Sequence, residues 1–287
     1  MNISGAAKLA GVVGWPVAHS LSPRLHSYWI EQGGLDAAYV PLAVRPEDFA
    51  TVINGLRLGG FRGVNVTVPH KEAAFALAER GDAAAEIAGA ANILLFAESG
   101  VEARNSDAAG LAAALSESLG IGALKGRAAV ILGAGGMARA AVCALSDLEV
   151  SEIRILNRNK PRAESLVAAL ASRTKARLSA AGLEDWARAA GDARLLVNAT
   201  SAGMRGVPSL DLKLEALPGD AAVFDAVYNP LETELLARAK ARGLRTVDGL
   251  GMLMHQAVPA FAAFFGVEPK VAPALRRVLE EALGHGG

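Results

Sequence analysis

The stretch Ala128-Ala129-Val130-Ile131-Leu132-Gly133-Ala134-Gly135-Gly136-Met137-Ala138-Arg139 sets the architecture. Five apolar residues read as a buried strand, the glycines as a tight turn, and the residues from Met137 onward as a helix. The turn is close to, though not identical with, G-x-G-x-x-G. Without side chains at Gly133, Gly135 and Gly136 the backbone can approach a pyrophosphate, and the helix N-terminus offers it free N–H groups and a partial positive charge. The next strand, predicted over 153–156, ends in Asn157-Arg158-Asn159-Lys160-Pro161-Arg162. A dinucleotide site selective for NAD places a carboxylate here, where it would repel a 2′-phosphate. A guanidinium pairs with that phosphate instead, so the loop points to NADP.

Outward from this segment the chain alternates strand-like and helix-like patterns. Strands are predicted over 9–14, 38–44, 64–68 and 93–96, with helices over 23–32, 46–58 and 70–80 between them. Ser22 reads as the N-cap of the first helix, with Pro23 at its first position. After Gly126 the rhythm restarts: strands over 128–132, 153–156, 176–179, 195–198 and 223–227, helices over 137–146, 161–173, 183–190 and 233–242. Two closing helices, 250–265 and 273–283, have no strand after them. Alternation of this kind means βαβ units and mostly parallel sheets. The fold class is α/β with two lobes. A substrate-binding domain over 1–106 takes back the C-terminal helices of 245–287, and a doubly wound, Rossmann-type domain over 107–244 binds the dinucleotide. A crevice between the lobes is expected to hold the ligands and to close on them.

Composition narrows the function. Lys+Arg 29 balances Asp+Glu 29, which argues against a nucleic-acid binder. One cysteine cannot form an intramolecular disulfide or a cysteine-based zinc site. The histidines do not fall at ligand spacing, so no metal is expected. The N-terminus makes a poor signal peptide and no apolar run is long enough to span a bilayer, which predicts a cytoplasmic protein.

The first half carries a second set of polar groups. Gly14-Trp15-Pro16-Val17-Ala18-His19-Ser20-Leu21-Ser22-Pro23 closes one strand and opens a helix. Ser20 and Ser22 together could cradle a carboxylate there. Gly63-Val64-Asn65-Val66-Thr67-Val68-Pro69-His70-Lys71 sets polar side chains at the C-terminal end of a strand, where open α/β sheets bind ligands. Gly89-Ala90-Ala91-Asn92 and Asn105-Ser106-Asp107 follow. Taken singly, Asn92 and Asp107 are more often turn formers or caps.

In order and approximate spacing these segments resemble shikimate dehydrogenases. The resemblance continues through Asn198-Ala199-Thr200-Ser201-Ala202-Gly203-Met204, Asp225-Ala226-Val227-Tyr228-Asn229-Pro230 and Asp248-Gly249-Leu250-Gly251-Met252-Leu253-Met254-His255-Gln256-Ala257, nearly the whole chain. It implies an enzyme of aromatic amino-acid biosynthesis that reversibly reduces 3-dehydroshikimate to shikimate with NADPH. Carried across, it implies that Ser20 and Ser22 hold the substrate carboxylate, with Thr67 and Tyr228 nearby. Lys71, Asn92, Asp107 and Gln256 would hold the ring hydroxyls, with Lys71 and Asp107 as the catalytic pair. Gly133, Ala134, Gly135, Gly136, Met137, Asn157, Arg158 and Arg162 would hold NADP, and the main chain at Ala226 and Gly249 would approach its nicotinamide. Three positions depart from the family pattern: Ile93, Ser106 and Asn159 stand where threonine is usual. The nearest rivals are a dehydrogenase of quinate or of an aminated shikimate analogue. A catalytically silent NADP-binding regulator would have lost the charged pair, and this chain retains both Lys71 and Asp107.

Overall fold

The computed structural model describes residues 3–284. The chain divides into two compact units: one takes the chain up to Ser106 and again from Gln256 onward, the other runs Asp107–His255.

In the first unit the elements are β1 (Lys8–Gly14), α1 (Ser22–Gln32), β2 (Ala37–Ala43), α2 (Phe49–Leu58), β3 (Gly63–Val66), α3 (Lys71–Leu77), β4 (Arg80–Gly81), α4 (Ala83–Ala88), β5 (Ile93–Ala97) and β6 (Gly100–Arg104). They build a six-stranded sheet in the order β2-β1-β3-β5-β6-β4. Strands β2, β1 and β3 are parallel, whereas β5 runs antiparallel to both β3 and β6. The apolar stretches at β1, β3 and β5 make strands because they are buried among Val13, Ile53, Val64, Leu94 and Ala103. The sheet is therefore mixed, and sequence reading passes over two of its strands, the two-residue β4 and the longer β6. In β6, Val101 and Ala103 are buried and alternate with half-buried Glu102 and Arg104, a pattern too short and too charged to stand out.

One local expectation is corrected. Ser22 does not cap α1 with its side chain. Leu21 already has helical backbone angles, φ −83° and ψ −7°, and its carbonyl accepts the Leu25 N–H at 3.0 Å, so Ser22 is the first full helical residue. The hydroxyl serving this end is that of Ser20, which accepts the Ser22 N–H at 3.3 Å.

The second unit contains α5 (Asp107–Leu119), β7 (Ala128–Leu132), α6 (Gly136–Asp147), β8 (Glu152–Leu156), α7 (Lys160–Leu170), β9 (Arg177–Ala181), α8 (Trp186–Ala190), β10 (Ala193–Asn198), β11 (Ala222–Asp225), α9 (Glu234–Ala241) and β12 (Arg245–Val247). All six strands are parallel, in the order β12-β11-β10-β7-β8-β9. The inner strands β7, β10 and β11 are covered on both faces, which is why they read as nearly continuous apolar runs, whereas the edge strands β9 and β12 are partly exposed. Val130, Ile131, Ile155, Leu196 and Phe224 are fully buried. The chain leaves β7 toward β8 and β9, then returns to lay β10 on its other side. The C-terminal ends of β7 and β10 thus flank the switch point where open α/β sheets take their ligands. Helices α10 (Gly249–Phe265) and α11 (Pro273–Gly284) close the chain. No helix among the described residues is long and apolar enough to cross a membrane.

Candidate functional site

In the first unit the polar groups collect past the C-terminal ends of β1 and β3. Backbone bonds fix these ends against each other: Thr67 N–H donates to Val13 O at 2.9 Å and Trp15 N–H to Val68 O at 3.0 Å. Ser20 and Thr67 are half-buried there, while Ser22 is 8% exposed and backs onto the buried phenol of Tyr39. The Tyr39 hydroxyl donates to Asn65 Oδ1 at 2.7 Å, and Asn65 Nδ2 donates to the Asn92 carbonyl at 3.1 Å. Burial pushes the Tyr39 hydroxyl pKa well up, so it remains a protonated donor.

Asn92, 2% exposed, is held on every side. Its amide donates to Ser106 Oγ at 3.0 Å and to Gln256 Oε1 at 3.1 Å, and its oxygen accepts the Ser106 N–H at 2.9 Å. Ser106 Oγ donates in turn to the Gln256 carbonyl at 2.8 Å. The structure thus joins two residues that lie 164 positions apart in the chain, Asn92 and Gln256, through the serine that departs from the family pattern. Ser106 meets the demand a threonine would have met, because only its hydroxyl is used. Ile93 is 1% exposed in the core, and the Asn92 side chain makes its bonds to Ser106 and Gln256 without a hydroxyl at that position. Lys71 opens α3 with a half-buried side chain, and its carbonyl accepts the Ala91 N–H at 2.8 Å, which fixes it beside the turn of Asn92 that leads into β5. Sequence reasoning missed Asp82: its Oδ1 caps α4 through Ala85 N–H at 2.7 Å and also accepts the Asn105 N–H at 3.3 Å, steadying the turn that ends at Ser106. The D-x-x-A spacing of an N-cap is a signal that could have found it.

In the second unit Asp107 is 4% exposed and opens α5. The glycine turn joins the end of β7 to the start of α6. Gly133 has φ +106°, and a Cβ placed on it would come within 2.9 Å of Thr200 Cγ2, so both conformation and contact demand glycine. Around Gly135 and Gly136 a Cβ would meet only open space, leaving a bare backbone cradle in front of α6. Twelve residues of helix stand behind it, and the Gly135 cap position makes no side-chain bond. Its first N–H groups therefore face outward without an internal acceptor, which fits a pyrophosphate. At the end of β8, Asn157 Nδ2 donates to Asn159 O at 2.9 Å and shapes the loop. Arg158 and Arg162 are exposed. Among the described residues neither has a carboxylate partner, whereas Lys160 between them pairs with Glu164 at 3.7 Å. Two guanidiniums with no carboxylate paired to them among the described residues fit a 2′-phosphate. Past β11, Ala226 and Gly249 are in van der Waals contact: a Cβ on Gly249 would lie 2.5 Å from Ala226 O. Tyr228 is half-buried two residues further on.

Both halves of the chain match known proteins. Residues 12–94 match the shikimate dehydrogenase substrate binding domain, and residues 115–211 match the shikimate / quinate 5-dehydrogenase family. Shikimate dehydrogenase (NADP(+)) of Paramagnetospirillum magneticum is 50% identical over 96% of this chain and 98% of its own length. The corresponding Acidiphilium cryptum protein is 48% identical over 97% of this chain and 98% of its own. Among solved structures, shikimate 5-dehydrogenase of Thermus thermophilus in complex with NADP(H) and shikimate superposes with a TM-score of 0.83 at 37% identity, over 97% of this chain and 99% of that one. With identity of this extent spread across both units, the chain belongs to the shikimate dehydrogenase family.

Proposed function

We propose that this chain interconverts 3-dehydroshikimate and shikimate with NADP(H), and that Lys71 and Asp107 act together on the oxygen that changes oxidation state. When bound, NADPH supplies the hydride. The observation that carries the reading is the closed hydrogen-bond circuit of Asn92, Ser106 and Gln256 beside Lys71. Amide and hydroxyl groups held this rigidly suit the ring hydroxyls of a small polyol acid, since a site built to bond hydroxyls strongly rejects ligands that lack them. Ser20, Ser22 and Thr67 supply hydroxyls for the carboxylate at the other end, with Tyr228 as a further phenol donor.

Reduction of the ketone would place negative charge on its oxygen. The Lys71 ammonium stabilises that charge and delivers a proton; in the oxidative direction its neutral amine takes the proton back. The Asp107 carboxylate orients the ammonium. Arg158 and Arg162 pair with the 2′-phosphate, and Gly133 to Met137 receive the pyrophosphate with backbone N–H groups, while Ala226 and Gly249 form the wall for the nicotinamide.

The test is a substrate and cofactor matrix read by nicotinamide absorbance. Shikimate with NADP should turn over with a kcat/KM at least about tenfold above shikimate with NAD, the worth of one charge-assisted contact. It should also exceed quinate with NADP. Preference for quinate, or equal use of both cofactors, would overturn the reading.

A further inference from the structure

Asp225 is the most deeply buried carboxylate among the described residues and has no part in the chemistry above. It is 0% exposed at the last position of β11. In register it stands opposite Asn198, the last residue of β10, and Asn198 in turn stands opposite Leu132, the residue before the glycine turn. Oδ1 of Asp225 accepts Asn198 Nδ2 at 2.9 Å and the Val227 N–H at 3.0 Å, and Oδ2 accepts the Thr233 hydroxyl at 2.7 Å. Every one of these donors is neutral. Burying a carboxylate without a cation is costly, and here it raises the Asp225 pKa. The return on that cost is geometric.

From this one carboxylate two loops are set. Asn198 passes the constraint to the loop after β10: its Oδ1 accepts the Thr200 N–H at 3.1 Å and the Thr200 hydroxyl at 2.7 Å, and its amide also donates to Ala202 O at 3.1 Å. The methyl of Thr200 is the surface on which Gly133 lies. Val227 N–H fixes the loop after β11, whose Ala226 carbonyl packs on Gly249. Thr233, itself 0% exposed, links the same carboxylate to the start of α9, where its hydroxyl oxygen accepts the Leu236 N–H at 3.3 Å. We propose that Asp225 is a positioning residue that fixes the wall for the nicotinamide half of the cofactor, holding the loops of Thr200 and Ala226 at one spacing. The proposal rests on the cofactor reading above and adds to it the group that sets the wall.

A carboxylate here is acceptor-only, and all three of its bonds use that property. In Asp225→Asn, an NH2 must replace one accepting oxygen. Facing Thr233, it leaves the threonine proton without an acceptor; facing Val227 and Asn198, it opposes two donors. The experiment compares full-length wild type, Asp225→Asn, Thr233→Val and Thr233→Ser by calorimetric binding of two probes. One is NADP, the other adenosine 2′,5′-bisphosphate, which carries the 2′-phosphate but no nicotinamide. Asp225→Asn should weaken NADP about tenfold, leave the bisphosphate within about twofold, and lower kcat by about tenfold or more. Thr233→Val should move the same way by less, and Thr233→Ser, which keeps the donor, should restore wild-type values. In the folded protein lacking ligand, amide exchange at Thr200 and Val227 should quicken in Asp225→Asn. Equal weakening of both probes, or wild-type affinity for both with only a lowered Tm, would overturn the proposal by making Asp225 merely structural. If wild type bound neither probe, the cofactor reading itself would fall, an outcome distinct from either of these.

Discussion

The two units hold their polar groups in opposite ways. In the first unit the candidate ligand groups are side chains, Ser20, Thr67, Lys71, Asn92 and Gln256, and several are locked by further buried side chains such as Tyr39, Asn65 and Ser106. In the second unit the cradle is bare backbone at Gly133 to Gly136, and the polar side chains Asn198, Asp225 and Thr233 are buried away from it at the ends of β10 and β11 and the start of α9. The difference follows from the ligands proposed. A ring bearing several hydroxyls is distinguished from its isomers only by donors and acceptors at fixed points, whereas a pyrophosphate asks for a concave row of N–H groups and no steric obstruction.

The largest effect that could break this comparison is at Lys71. Lys71→Ala should lower kcat by about 10²–10⁴, the usual worth of a positioned acid–base group, with a smaller rise in KM for shikimate and an unchanged melting profile. Asp107→Ala should act in the same direction, and the double variant should fall far short of the product of the two. A lysine that only binds substrate would give the reverse split, a large rise in KM with kcat nearly intact.

Next in size is Arg158. Arg158→Ala should weaken NADP about ten- to a hundredfold, as expected for losing a charged hydrogen-bonded contact, and leave NAD unchanged. Equal loss with both cofactors would mean that Arg158 shapes its loop and does not read the 2′-phosphate.

The smallest effect concerns pH and separates the units by stability. His26, 1% exposed, stacks on Tyr39 with ring centroids 3.9 Å apart and planes 3° from parallel. Burial among Tyr39, Trp29 and Phe261 pushes its pKa down to about 3. The native imidazole is therefore neutral, while the unfolded chain takes up a proton near pH 6.5. Stability from this group is complete above about pH 6.5 and is lost as pH falls toward 3, amounting to about 1.4 kcal/mol by pH 5.5. In the second unit, Arg154 holds the Glu152 carboxylate below its usual range, a contribution lost only as pH falls below about 4.5. Melts at pH 7.5 and 5.5 should thus differ for wild type and differ less for His26→Phe, which keeps the ring stack without the titrating nitrogen. An equal pH dependence in both would remove His26 from the account.

How far the sequence discloses all this depends on what kind of signal each feature leaves. The second unit is legible where its parallel strands are apolar runs ending in turns, as at β7, β10 and β11, and the glycine segment is conspicuous in its residue types, but the edge strand β12 goes unpredicted because Arg245 and Thr246 leave it only Val247 as a buried residue. The first unit is legible only where its strands are apolar. β6 escapes notice because Glu102 and Arg104 occupy its partly exposed face, and the two-residue β4 is too short to leave a period at all. The Ser22 cap fails for a different reason: a serine before Pro23 is a good cap in most contexts, and only the observed helical angles of Leu21 move that role upstream to Ser20. Ser20, Thr67, Lys71 and Asn92 can be picked out as polar residues at strand and helix ends, whereas Gln256 comes only with the family resemblance, because a glutamine inside an apolar helix carries no local signal of a partner as distant as Asn92. Tyr39 and Asp225 are invisible for the same reason. Their importance lies in what they touch.

Most of the proposed substrate side chains, Lys71 among them, belong to the first unit and the proposed cofactor groups, Arg158 among them, to the second, so one crossed binding measurement separates the two roles. Calorimetry would follow NADP binding to Lys71→Ala and shikimate binding to Arg158→Ala. The account predicts that NADP binds Lys71→Ala, and shikimate binds Arg158→Ala, within about twofold of wild type, well under the tenfold that 1.4 kcal/mol would produce. A tenfold or greater loss of NADP affinity in Lys71→Ala, or of shikimate affinity in Arg158→Ala, would contradict it.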